Sequence, residues 1–173
     1  MRILSLGGAL SLLVLSGTAH ANFINPVNTI YKKILSNIVE NAQCSEQEFT
    51  LKTPSRISDD EDEIQLYTTK FSDDIFLSFD VEKNVIKASV SIAPMRDTLS
   101  AQLSAFCVVS AVQTVIDPSK STNEYMKLDP KMYASAVKNG HYTFQSKKYE
   151  HSVSFQKDKR MPTLTFMIDP IVE

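Results

Sequence analysis

The chain has 173 residues, 43% of them hydrophobic and 22% charged, a balance that fits one globular domain and excludes a collagenous rod, a disordered tail or a string of domains. With 18 basic against 20 acidic side chains and a formal net charge of −2, there is no strong field to hold nucleic acid or an anionic bilayer. Two cysteines and three histidines are too few for a thiolate-rich structural zinc site, and no cofactor is expected.

Met1-Arg2 opens a short positive region, and Ile3 to Leu15 is an apolar run of signal-peptide length, too short to span a bilayer as a mature helix. Ala19 and Ala21 supply the small side chains that a signal peptidase admits, so cleavage is expected between Ala21 and Asn22. Residues 1–21 are therefore read as a cleaved signal peptide and residues 22–173 as a single mature domain. Its expected compartment is the periplasm, or the exterior if secreted; the absence of any Asn-x-Ser/Thr sequon accords with a bacterial periplasm. After the signal no run is read as long and uncharged enough to span a membrane.

In the mature chain, Pro26 at a first helical position and Val27, Ile30, Ile34 and Ile38 at helical spacing, with Tyr31 and Leu35 beside them, predict a helix over 26–42. From Gln47 the period changes to two through Phe49 and Leu51, predicting a strand that ends at Pro54. Five consecutive acids at 59–63 repel one another and predict a solvated loop. Ile64, Leu66 and Thr68 resume a strand. Ile75, Leu77, Phe79 and Val81, then Ile86, Ala88, Val90 and Ile92, alternate with polar residues as a hairpin with one wet face. Pairing Val81 with Ile86 puts both apolar rows on one side, and a slip of one residue would expose them all.

Beyond Pro94, the apolar residues Leu99, Leu103, Phe106, Val109, Ala111, Val112, Val115 and Ile116 predict a mostly buried helix ending near Asp117-Pro118. A polar link, Ser119 to Asp129, is read as separating it from a short helix that begins at Pro130 and closes on Asn139-Gly140, a left-handed cap signal. A second hairpin turns at Lys147-Lys148 and puts Tyr142, Phe144, Tyr149, His151, Val153 and Phe155 on one face; Leu164, Phe166 and Ile168 make a last strand. The order is helix, four strands, two helices, three strands. It predicts an α+β two-layer domain, a mainly antiparallel sheet of about six to seven strands covered on one face by two or three helices.

Cys44 and Cys107, exported to an oxidising compartment, are expected to form a structural disulfide; their spacing is not the C-x-x-C of a redox-active pair. In the predicted register His141 and His151 fall on opposite faces of the sheet, which makes them a poor metal pair and leaves His151, in the aromatic row, as the better candidate. Asp60 and Asp62 head the acidic loop, which lacks the glycine and glutamate spacing of an EF-hand. Ser135-Ala136-Val137-Lys138 matches S-x-x-K without its partner motifs. No phosphate-binding loop exists, because three of the four glycines lie in the signal. Lys147 and Lys148 make the second hairpin basic, so the chain is electrically lopsided, while Tyr125, Met126, Met132 and Tyr133 are candidates to line a binding mouth.

These residues fit a non-catalytic binding domain that recognises an exported protein partner, of the inhibitor or immunity type, with no nucleic acid and no membrane involved once the signal is gone. A carrier holding an apolar ligand between sheet and helices is the alternative. A hydrolytic enzyme using His151 ranks third, since no nucleophile, base and orienter converge in the sequence.

Overall fold

The computed structural model describes residues 26–171 apart from Asp60 and Asn84; the expected signal peptide, residues 1–21, lies outside the described residues. Helix α1 (Pro26–Glu40) buries Val27, Tyr31, Ile34 and Ile38, spaced so that they share one stripe. It ends two residues before the expected limit. There the Asn41 carbonyl accepts from the Cys44 and Ser45 amides at 2.9 Å and turns the chain. Cys44 is bonded to Cys107, with 5.5 Å between their Cα atoms, and both are fully buried. The expected disulfide therefore joins the exit of α1 to the middle of the second helix, and it is compatible with an oxidising, exported compartment.

The strand expected from Gln47 to Pro54 does not form. Phe49 packs its ring edge on Phe71 at 5.9 Å, Leu51 is exposed, and only the Thr50 amide reaches the neighbouring backbone, at Phe71 O. Two alternations are too short a signal to separate a strand from an extended loop. The first strand, β1 (Ser55–Arg56), lies instead just past Pro54 and pairs with Thr68 and Tyr67. The hairpin of β3 (Ile75–Glu82) and β4 (Val85–Ile92) has the predicted register, Val81 opposite Ile86, and β2 (Gln65–Lys70) pairs with β3 on its other side.

Helix α2 (Leu99–Ile116) starts at Thr98, whose hydroxyl accepts from the Ala101 amide at 3.3 Å. Leu99 does not join the buried face: it is 84% exposed, because the helix enters the core only from Ala105 onward. Contrary to expectation, α2 is long and apolar enough by composition to cross a membrane. Here every residue from Ala105 to Gln113 is buried within the fold.

Helix α3 corrects a second expectation. It runs unbroken over Thr122–Asn139, so residues 122–129 are helical and Pro130 lies inside the helix. The Ser121 hydroxyl accepts from the Glu124 amide while the Glu124 carboxylate accepts from the Ser121 amide, a capping box that starts the helix two turns before the proline. Pro130 removes the N–H that would bond Met126 O. The helix closes on Gly140, left-handed at φ 85°, whose N–H donates to Ala136 O. Strands β5 (His141–Gln145), β6 (Tyr149–Gln156) and β7 (Thr163–Pro170) follow, with β7 inserted between β4 and β6.

The sheet has seven strands in the order β1-β2-β3-β4-β7-β6-β5, antiparallel throughout. The helices cover one face. Helix α2 lies over β4 and β7, α3 over β5 and β6, and α1 beside α2. Leu77, Phe79, Val90, Val153, Leu164, Phe166 and Ile168 point into that layer and are buried. On the opposite face Ser78, Ser89, Met167, Ser152 and Thr143 align across five strands, four of the five bearing hydroxyls.

Replacing both cysteines (C44S with C107S) releases a closed loop with a sequence separation of 63 and is expected to cost about 4 kcal/mol in a denaturant titration. Gly140→Ala is expected to cost about 1 kcal/mol through φ alone, since no atom lies within 4 Å of the added Cβ.

Candidate functional site

The end of α2 creates the most polar point in the interior. Asp117 is its C-cap, a place where the negative end of the helix dipole disfavours a carboxylate. Its side chain is nevertheless turned inward and buried. Three donors compensate. The Tyr125 hydroxyl, from the first turn of α3, donates to Oδ2 at 3.0 Å; His151 Nε2, from the inner face of β6, lies 2.9 Å from the same oxygen; the Ser119 amide donates to Oδ1 at 3.1 Å. His151 is stacked on Phe144 at 4.4 Å between ring centroids and lies 5.5 Å from the Tyr125 ring.

Burial would raise the Asp117 pKa, but the hydrogen bonds it accepts, that from His151 the strongest influence, outweigh it and bring the value to about 2. Burial lowers the pKa of His151, and the attraction of Asp117 only partly offsets this. The 2.9 Å contact has the length of an ion pair. At neutral pH it is better described as a neutral imidazole donating through Nε2 to a carboxylate, a tautomer inferred from the acceptor-only partner. His151 Nδ1 supports this: it is buried with no hydrogen-bond partner, so a second ring proton there would have no acceptor. Burial also pushes the Tyr125 hydroxyl upward.

A second polar pair lies between the same two helices. Asp129 and Gln113 are buried, and with the Gln113 amide nitrogen turned toward the carboxyl it donates at 3.0 and 3.3 Å. Burial holds the Asp129 carboxyl well above the usual carboxylate range, against the pull of Gln113, which favours the neutral acid.

An aspartate, an imidazole and a phenol in contact have the makings of an acid–base relay. A relay also needs a way out, and here His151 and Tyr125 are fully buried, with the free edge of the imidazole facing no polar group. The cluster ties the α2–α3 corner to β6. Among the described residues no three His, Cys, Asp or Glu side chains converge as metal ligands.

The other candidates scatter. Met126 is half-buried at the rim of an open depression of about 660 Å³, beside Asn41, Asn123 and Lys127. Tyr133 packs between Phe106 and Phe155, 6.0 and 6.2 Å between centroids, and Met132 is core. Asp62 is exposed beside the β1–β2 edge and accepts from the Asp59 amide at 2.9 Å; Asp60 lies outside the described residues. Lys147 and Lys148 are exposed at the β5–β6 turn, at the opposite end of the sheet. His141 is exposed and, as the alternation requires, on the face opposite His151. Sequence reasoning missed Asp117, Gln113 and Asp129. The available signal was an acid at a helix C-terminus, where a base is usual, and a long polar side chain on the inner face of an apolar helix.

No family model, curated protein or solved structure matches this chain.

The buried groups give opposite pH dependences. His151, held below its ordinary 6.5, binds a proton less readily folded than unfolded, so its contribution is intact above about pH 6.5 and fades as pH falls below it. Asp117, near 2 against an ordinary 3.8, contributes above 3.8 and loses about 2 kcal/mol as pH falls toward 2. Asp129 is raised, so its contribution is complete below 3.8 and is lost as pH rises through its folded pKa. Urea midpoints measured across pH are expected to fall at both ends. Asp129→Asn should remove the decline that accompanies rising pH and leave the acid limb in place; an unchanged decline with rising pH would refute this assignment.

Proposed function

We propose that the mature chain is a small periplasmic, non-catalytic binding protein that recognises an exported protein partner, of the inhibitor or immunity type. One observation carries the reading. The only polar cluster with the chemistry of an acid–base site among the described residues is buried and committed to holding helices and sheet together. The charged and hydrogen-bonding groups left for function are on loops, on the open face and at the sheet edges. Asp59, Glu61, Asp62 and Glu63 stand at one end of the sheet and Lys147 and Lys148 at the other, a separation of charge suited to orienting a macromolecule.

The alternative is a carrier of an apolar ligand between the layers. A cavity of about 260 Å³ does open between Ile75 and Ile92 of the sheet and Ala101 and Ser104 of α2. Asp74, Glu48 and Arg96 line it too, and Arg96 is paired with Asp74 at 3.0 Å, which disfavours an apolar occupant.

Protein purified from the periplasm is expected to start at Asn22 on amino-terminal sequencing. Immobilised mature chain is expected to retain one stoichiometric exported protein, released as salt rises. A lipid or other small ligand found by native mass spectrometry, with no protein retained, would favour the carrier; a chain still beginning at Met1 would remove the compartment.

A further inference from the structure

The two edges of the sheet are treated differently. At the β1 edge the chain wraps over its neighbour: Ile57 N donates to Leu66 O, Thr50 N to Phe71 O, and the Ser58 hydroxyl accepts from Leu66 N at 3.0 Å. At the other end β5 is the last strand, with none beyond it among the described residues. Phe155 N donates to Gly140 O and Ser146 N to Tyr149 O. With strict alternation along an antiparallel pair, Gly140, Tyr142, Phe144 and Ser146 are the residues bonded to β6. The main-chain groups of His141, Thr143 and Gln145 therefore point away from the sheet, and all three residues are exposed.

Folded proteins usually blunt such an edge with proline, a bulge or a charge within the strand. The five residues of β5 contain no proline and no Asp, Glu, Lys or Arg, and their register with β6 is unbroken. Charge is placed at its two ends instead. Lys138 stands in the last turn of α3 just before β5, and Lys147 and Lys148 stand in the turn just after it; all three are exposed. The acid of this hairpin, Glu150, accepts from Gln145 Nε2 at 3.0 Å. On the helical side of β5, Tyr142 and Phe144 are half-buried.

Resting on the reading of the chain as a binding protein, we propose that the outer edge of β5 accepts an extended acidic segment of its protein partner as an additional antiparallel or parallel strand. The main-chain groups of His141, Thr143 and Gln145 supply the ladder. Lys138 at one end and Lys147 and Lys148 at the other select carboxylates near both ends of the incoming strand. Apolar side chains on its helical side cover Tyr142 and Phe144. At about 3.4 Å per residue the edge takes a strand of roughly seven residues with its acids at the two ends.

The test uses the mature chain and a labelled peptide of that pattern, Glu-Thr-Val-Thr-Val-Thr-Glu, with a lysine-ended peptide and an alternately N-methylated peptide as controls. Fluorescence anisotropy reads binding, and amide hydrogen exchange reads its place. The acidic peptide is expected to bind, to slow exchange at His141, Thr143 and Gln145, and to exceed both controls at least tenfold. Thr143→Pro removes an outward N–H that β6 does not use, so the fold, checked by circular dichroism, should remain while affinity falls at least tenfold. K147E with K148E should weaken the acidic peptide and lessen its salt dependence. The proposal is overturned if the peptide does not bind, if it binds without protecting those three amides, or if folded T143P binds equally well. Protection that appears with rising protein concentration in the absence of peptide would make a second copy the occupant and also overturn it. A partner captured equally by T143P and the parent chain would remove this edge while leaving the binding reading intact; failure to capture any partner would remove that reading instead.

Discussion

The fold depends on a single buried carboxylate. Asp117 stands where α2 ends and the chain must turn sharply into α3, and its oxygens collect hydrogen bonds from Tyr125 on α3, His151 on β6 and Ser119 in the turn itself. Each donor belongs to a different part of the chain, so the arrangement is satisfied only when the corner, the third helix and the second hairpin are all in place. A buried charge without such partners is strongly destabilising. The group that favours one packing of the helical layer therefore also penalises alternatives. The hydrogen-bonded pair of Gln113 and Asp129, also between α2 and α3, extends the same specification along the helix interface.

The disulfide acts at the other side of α2. Cys107 belongs to the fully buried segment of the helix, and its bond to Cys44 brings the exit of α1 against it. Helix α2 is thus held covalently toward α1 and by hydrogen bonds toward α3, with Val90 and Phe166 of adjacent strands β4 and β7 in the core beneath the helical layer. All of this order is spent on one face of the sheet. Among the described residues no helix covers the other face, and charge of opposite sign stands at the two sheet edges.

Much of the fold is legible in the sequence because it follows from short-range alternation. The β3–β4 register could be placed at Val81 opposite Ile86 because eight apolar residues must share one side, and the turn at Lys147-Lys148 follows from the aromatic row around it in the same way. Polar helix residues gave a poorer signal. Residues 122–129 have little apolar periodicity, and Pro130 reads as a start, yet Ser121 and Glu124 form a capping box that marks the true beginning. At Gln47–Leu51 the opposite error arises, an alternation too short to need a partner strand. Of the candidate site residues, Tyr125 and His151 do meet, at a carboxylate that the sequence marks only as a helix stop.

The sequence by itself determined the two-layer class, the two hairpins and their registers, the left-handed cap at Gly140 and the pairing of the only two cysteines, since each follows from residues close in the chain or from there being no other choice. Only the tertiary structure decided that β7 enters between β4 and β6, that Asp117 turns inward, and that β5 is the outermost strand among the described residues. These outcomes depend on contacts between residues far apart in the chain, where hydrogen-bond satisfaction and packing select among arrangements that local pattern leaves equivalent.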